Sequence, residues 1–235
     1  MKVSGTVPRR RFPETSWMLL DAARGASPEA RAAMEEFAAR YRQPTYAYLA
    51  AIVRNPEEAE ELAQGFFADV VASGRLLARV DRSRGSFRPY LKQALRNYVA
   101  SKKRRRIPEQ VYPDAQESGW EQLDLRAEGS PEAAFHRAWV QKLLAEALAG
   151  VRQLCEEKNQ QEHYALFEAR YLSPASAPPS WRELGQKFGL DEKAARSRAE
   201  TVARHFRVVL REMLVAETGS EAAADEEVST LLAFL

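Results

Sequence analysis

Nine Lys or Arg side chains, three aromatic ones and no acid fall within residues 83–106, SRGSFRPYLKQALRNYVASKKRRR, of a chain whose formal net charge is only +2. A block of this kind repels itself and calls either for solvent alone or for an anionic partner lying along it. On a helix from about residue 89 to 104, Leu91, Ala94, Leu95 and Tyr98 share one inward side, and Arg88, Lys92 and Arg96 line the adjoining face. The stretch before it reads as a loop, flexible at Gly85, that brings Phe87 and Tyr90 to the helix start. Rings interleaved with Arg and Lys are platforms on which unpaired bases stack while the cations neutralise phosphates. The competing reading makes Phe87 and Tyr90 core residues and KKRRR a solvated helix end or a localisation-type basic run.

A second constellation lies further along the chain. Ser180-Trp181-Arg182-Glu183 is a capping box, Leu184 and Phe188 give a short helix its inward face, and Gly189 suits a left-handed turn. Leu190 packs at the corner and Asp191 caps the next helix, which completes a helix-turn-helix pattern. Its second helix begins Glu192-Lys193-Ala194-Ala195-Arg196-Ser197-Arg198. Ala195 is small enough for close helix contact, while Lys193, Arg196, Ser197 and Arg198 are residues that reach guanine edges and phosphates in a major groove. The helix stays basic through Arg204, Arg207 and Arg211. Such units also occur as plain packing modules, which is the competing reading here. A third segment, NPEEAEELAQGFFADVVASG, places Glu57, Glu58, Glu60 and Glu61 at a helix start, where the dipole alone favours them. Together with Gln64 they make a surface unsuited to DNA and suited to protein.

Covalent chemistry finds no support. A glycine-rich phosphate loop, GxSxG and HExxH are all missing, and His136, His163 and His205 sit far apart on helical stretches. Cys155 is alone and reads as a small core residue. The expectation is a non-enzyme with no cofactor and no metal.

The elements that must position these residues are helices. Ser27-Pro28-Glu29, Asn55-Pro56-Glu57 and Ser130-Pro131-Glu132 each set a capping side chain before a proline at the first helical position. Apolar residues recur at helical spacing behind all three: Met34, Phe37 and Tyr41; Leu62, Phe66, Phe67, Val70 and Val71, with Gly74 as the stop; and Phe135, Trp139, Leu143, Leu144, Leu148, Val151 and Leu154, in a stripe that extends toward Tyr171. Strand alternation is nowhere sustained, so the chain reads as all-α. Residues 107–131 hold six acids against Arg126 alone, with three prolines and two glycines, the composition of a linker. SPASAPPS at 173–180 is a second break, and AETGSEAAADEEV followed by STLLAFL forms an acidic and then apolar end. With 235 residues, 45% of them hydrophobic, the chain can bury a core. Neither a signal peptide nor a run of roughly 20 apolar residues is visible, so the expected location is cytoplasmic, with no membrane partner.

In combination these motifs resemble a bacterial RNA polymerase sigma factor of the extracytoplasmic-function group, especially its planctomycete-type branch. The likeness is carried by RYRQPTYAYL, NPEEAEELAQGFF, LLARVDRSRGSFRPYLKQALRNYVASKKRRR, SPEAAFHRAWVQKLLAEAL, SWRELGQKFGLDEKAARSR and FRVVLREMLVAET, and covers about residues 14 to 235. The resemblance implies two small helical domains, a region 2 bundle over 16–106 and a region 4 helix-turn-helix domain over 132–215. They would be joined by the acidic linker 107–131 and flanked by a basic tail over 1–15 and an extension over 216–235. It further implies core RNA polymerase as partner, with Glu58, Glu61 and Gln64 facing the clamp helices of its largest subunit. Promoter DNA is the other implied partner. Arg84, Gly85, Ser86, Phe87, Arg88 and Tyr90 match the loop and helix start that capture a flipped base, and Lys92, Arg96, Asn97 and Lys102 match the adjoining strand-contacting helix. Lys193, Arg196, Ser197 and Arg198 match the helix that reads the upstream element. Many members of that group are restrained by an anti-sigma or other regulatory partner, and no residue here identifies one. The terminal segment from Glu217 resembles the branch's C-terminal extension, and we expect it to fold back and mask a basic surface.

Overall fold

Ser27 opens the first helix, α1 (Pro28–Val53), by accepting the Ala30 N–H at 3.1 Å, and Arg54 closes it in the left-handed conformation (φ 54°). The computed structural model describes residues 19, 22–23, 27–73, 76, 87–106, 129–173 and 177–232. Asn55 caps α2 (Pro56–Phe66), its side-chain oxygen accepting from the N–H groups of Glu57 and Glu58 at 2.9 and 3.1 Å. A π-helical stretch, Phe67–Ala72, continues it. The expected stop at Gly74 lies outside the described residues. Helix α3 (Phe87–Arg106) starts and ends two residues beyond the expected limits. The Ser130 hydroxyl accepts the Ala133 N–H at 3.1 Å where α4 (Pro131–Glu157) begins. Each capping side chain satisfies a backbone donor that the helix itself leaves orphaned, which is why these three starts fall where the sequence puts them.

The stripe that begins in α4 breaks at Asn159, in the left-handed region with φ 54°, and resumes in α5 (Gln161–Tyr171). Then come α6 (Trp181–Phe188), α7 (Glu192–Thr218) and α8 (Glu221–Leu232). Every regular element among the described residues is helical, so the fold is all-α.

Contacts divide the chain into two compact units. The first comprises the chain up to Lys142 together with Ala216–Gly219; the second comprises Leu143–Val215 and Ser220–Leu235. Residues 132–142, expected at the start of the second domain, therefore pack with the first unit. Rings fill the first core: Phe87 meets Phe37 and Tyr41 edge to face at 5.5 and 5.2 Å between centroids, and Phe66 meets Tyr98 at 5.5 Å. Glu217 is buried beside α1, where it accepts the Tyr41 hydroxyl at 2.9 Å and lies 3.5 Å from the Arg40 guanidinium. In the second unit Val151, Cys155, Leu166, Leu184, Ala195, Ala199, Val202 and Leu210 are buried. Burial pushes the Cys155 thiol above its ordinary pKa, as befits an unreactive core residue.

Candidate nucleic-acid interface

The helix-turn-helix pattern folds as its local chemistry requires. Ser180 accepts the Glu183 N–H at 3.2 Å, and the Glu183 carboxylate accepts the Ser180 N–H at 2.7 Å, which closes the capping box. The Ser180 hydroxyl donates to the same carboxylate at 2.8 Å, and this bond, with that from the Ser180 N–H, holds the Glu183 carboxyl below its usual pKa. Gly189 turns the chain with φ 67°, and the Asp191 carboxylate accepts the Ala194 N–H at 2.6 Å to start α7. Gly185 serves a purpose that the sequence pattern does not reveal. A Cβ there would sit 2.7 Å from the Leu190 carbonyl oxygen, so only glycine lets α6 approach the turn this closely.

On α7, Ala195, Ala199, Val202, Phe206, Val209 and Leu210 face inward. Lys193, Arg196 and Ser197 are exposed. Arg196 is held by Glu200, one turn along the same helix, at 2.8 Å. Arg198 is half-buried and reaches Glu162 on α5 at 2.7 Å, a tie that the sequence spacing cannot show. Arg204 and Arg207 are exposed, whereas Arg211 is engaged by Asp225 at 2.5 Å and Glu221 at 3.2 Å, both on α8. The hydrogen bonds that Arg211 donates to Asp225 and Glu221 raise its pKa.

On α2, Glu61 and Gln64 are exposed and Glu58 is half-buried. Gln64 donates to Glu60 at 3.0 Å, and Glu60 also receives Arg42 of α1 at 2.8 Å. The hydrogen bonds from Gln64 and Arg42 lower the Glu60 pKa. The face is therefore ordered by a small network rather than a loose row of acids.

The α3 face departs most from expectation. Arg84, Gly85 and Ser86 lie outside the described residues. Phe87, expected to present its ring to a base, is 0% exposed among Phe37, Tyr41 and Tyr90. The correction has a simple cause: the helix begins at Phe87 itself, four residues before Leu91 and eight before Leu95, so the ring falls on the inward stripe. Tyr90 is half-buried and donates its hydroxyl to the Leu76 carbonyl.

The cations beyond it are also engaged. The Arg88 guanidinium lies 3.8 Å from the centre of the Trp139 ring, and the Lys92 ammonium 6.0 Å from that of Phe135. Arg96 donates to the Tyr48 hydroxyl at 3.0 Å and to the Glu132 carboxylate. Burial lowers the Lys92 pKa, helped by Arg88 and Arg96 and opposed by Glu132. For Arg96, burial pulls the pKa down, but the hydrogen bonds with Glu132 and Tyr48 outweigh it and raise the value. Burial pushes the Tyr48 phenol up to about 12. Asn97 is exposed and accepts from Gln93 at 3.1 Å, and Lys102 meets Asp69 at 3.1 Å. Among the described residues, no helix is long and apolar enough to cross a membrane, and no group of three metal-ligating side chains forms.

Glu132, Tyr48, Phe135 and Trp139 are the residues that sequence reasoning missed. The available signal was the spacing of Glu132, Phe135 and Trp139 on one face of α4, complementary to Arg88, Lys92 and Arg96 on α3. Comparisons with protein-family models, with curated proteins and with solved structures return no match.

Proposed function

We propose that this chain is a sigma-type initiation factor, similar to the extracytoplasmic-function group, that binds core RNA polymerase and directs promoter recognition and opening without covalent chemistry of its own. The observation that carries the reading is the exposed row Lys193, Arg196 and Ser197 at the start of α7, set by the capping box, the left-handed Gly189 and the Asp191 cap. Those side chains suit the edges of base pairs and phosphates in a major groove. In the same chain α3 supplies cations for a single strand, and the α2 face of Glu58, Glu61 and Gln64 supplies a protein-facing surface. α8 acts as a regulator, because its acids occupy a cation of the helix that reads DNA.

A second reading is a stand-alone helix-turn-helix regulator that does not engage polymerase. It is favoured by one contrast: the α7 row is exposed, whereas Arg88, Lys92 and Arg96 are engaged inside the first unit. Run-off transcription on fragmented genomic DNA of the source organism, with its core polymerase, separates the two. New transcripts that share an upstream sequence pair establish the sigma reading. Silence, with no co-sedimentation with core enzyme, favours the regulator.

A further inference from the structure

We infer that residues 131–139 of α4 act as a built-in competitor for single-stranded DNA, keeping the cationic ridge of α3 covered in the free protein; this rests on the reading of α3 as a strand-contacting helix. The ridge residues Arg88, Lys92 and Arg96 recur every four positions on α3, and Glu132, Phe135 and Trp139 recur every three and four on α4. Each cation meets a group of the kind a nucleic-acid strand would offer. Arg88 lies over the Trp139 ring at 3.8 Å and Lys92 over the Phe135 ring at 6.0 Å, as each would over a base. Arg96 holds the Glu132 carboxylate as it would hold a phosphate.

The covering is tight. Phe135 and Trp139 are each 2% exposed and the Glu132 side chain 12%, and Tyr48 locks the acid by donating to it at 3.2 Å while accepting from Arg96. A base cannot enter between a guanidinium and a ring already 3.8 Å apart. A phosphate brought to Arg96 would meet the Glu132 carboxylate at close range. Strand binding and the seating of 131–139 are therefore mutually exclusive. Charge and rings together give the segment the chemistry of the ligand it displaces.

The consequence is quantitative: apparent affinity for a strand is the intrinsic affinity reduced by the fraction of molecules uncovered. The test uses the full chain, a fluorescein-labelled single-stranded deoxyoligonucleotide and anisotropy, with wild type, Glu132→Gln and Lys92→Ala compared at one salt concentration. Glu132→Gln is expected to bind about tenfold more tightly than wild type, and Lys92→Ala more weakly. A second measurement does not depend on any variant folding. In wild type saturated with the oligonucleotide, amide hydrogen exchange over 131–139 is expected to speed up by about tenfold or more. If Glu132→Gln binds no more tightly and exchange over 131–139 is unchanged, the covering role is overturned, while a weakened Lys92→Ala preserves α3 as the strand-contacting helix. If no protein binds the oligonucleotide at any salt, α3 is not a strand-contacting helix and both readings fall.

Discussion

Phe87→Ala separates a core ring from a DNA-facing one. The ring is 0% exposed and lies edge to face with Phe37 and Tyr41 at 5.5 and 5.2 Å. Truncating a buried Phe costs about 3–5 kcal/mol, the sum of lost transfer free energy and the cavity left behind. With two aromatic partners losing their geometry as well, about 4 kcal/mol is expected here. At a urea dependence of about 2 kcal/mol per molar, the unfolding midpoint of the first unit falls by about 2 M. The assay is urea unfolding followed by fluorescence, with oligonucleotide binding measured below the transition. Phe87→Leu keeps much of the volume and is expected to cost less than about 1.5 kcal/mol. Binding by the folded fraction stays within about twofold of wild type in both variants, since a ring in the core touches no ligand. A Phe87→Ala protein with the wild-type urea midpoint and about tenfold weaker strand binding would refute the reasoning, because it would place the ring outside the core.

Four further outcomes follow from the same geometry. Arg196→Ala is expected to weaken binding to a selected upstream element by about ten- to a hundredfold in an electrophoretic shift, and equal loss on all sequences would mark a phosphate contact instead. Gly185→Ala is expected to destabilise the second unit by about 1–3 kcal/mol in thermal unfolding, because the added methyl meets a backbone carbonyl that cannot rotate away. Truncation before Glu221 releases Arg211 and is expected to tighten DNA binding by about threefold at low salt, with the gain lost at high salt; unchanged binding removes α8 from regulation. Burial lowers the pKa of His163 and His205 from 6.5, so the unfolded chain binds more protons in acid; stability is lost as pH falls from about 6.5 through the depressed folded values, and His163→Gln with His205→Gln flattens that loss.

The features legible in the sequence are those decided within a few residues. A Ser or Asn before a proline, a Glu three residues after Ser180, and Gly189 followed by Asp191 each settle a backbone hydrogen bond locally, and all of them fold as written. The all-α class follows from the same signals together with the apolar periodicity. The linker expected over 107–131 rests on composition and, up to residue 128, lies outside the described residues; composition does not say which unit the following helix packs with, and Pro131 through Lys142 join the first unit. Gly185 was unreadable for a related reason: its need for space is set by a carbonyl across the turn, not by its own neighbours.

Site residues divide along the same line. Helical phase identified the inward side of α3 but was applied from Pro89, and the two-residue extension of the helix carried Phe87 onto the stripe. Phase is also silent about whether an adjoining polar face is covered. Glu132 illustrates why: the dipole already accounts for an acid just after a helix-starting proline, so only its spacing with Phe135 and Trp139 pointed to a pairing with α3.

Exposure then orders the events that the proposed function requires. Lys193, Arg196 and Ser197 have their polar groups at the surface, and the Glu200 partner of Arg196 sits one turn away in solvent, where exchange for a phosphate or base edge is easy. Arg96 is tied to a carboxylate that is 12% exposed, and Arg88 to a ring that is 2% exposed. Releasing the second set costs far more than releasing the first. On the proposed function, duplex contact through α7 therefore precedes strand contact through α3, and a strand engages α3 only in the fraction of molecules whose α4 seat has opened.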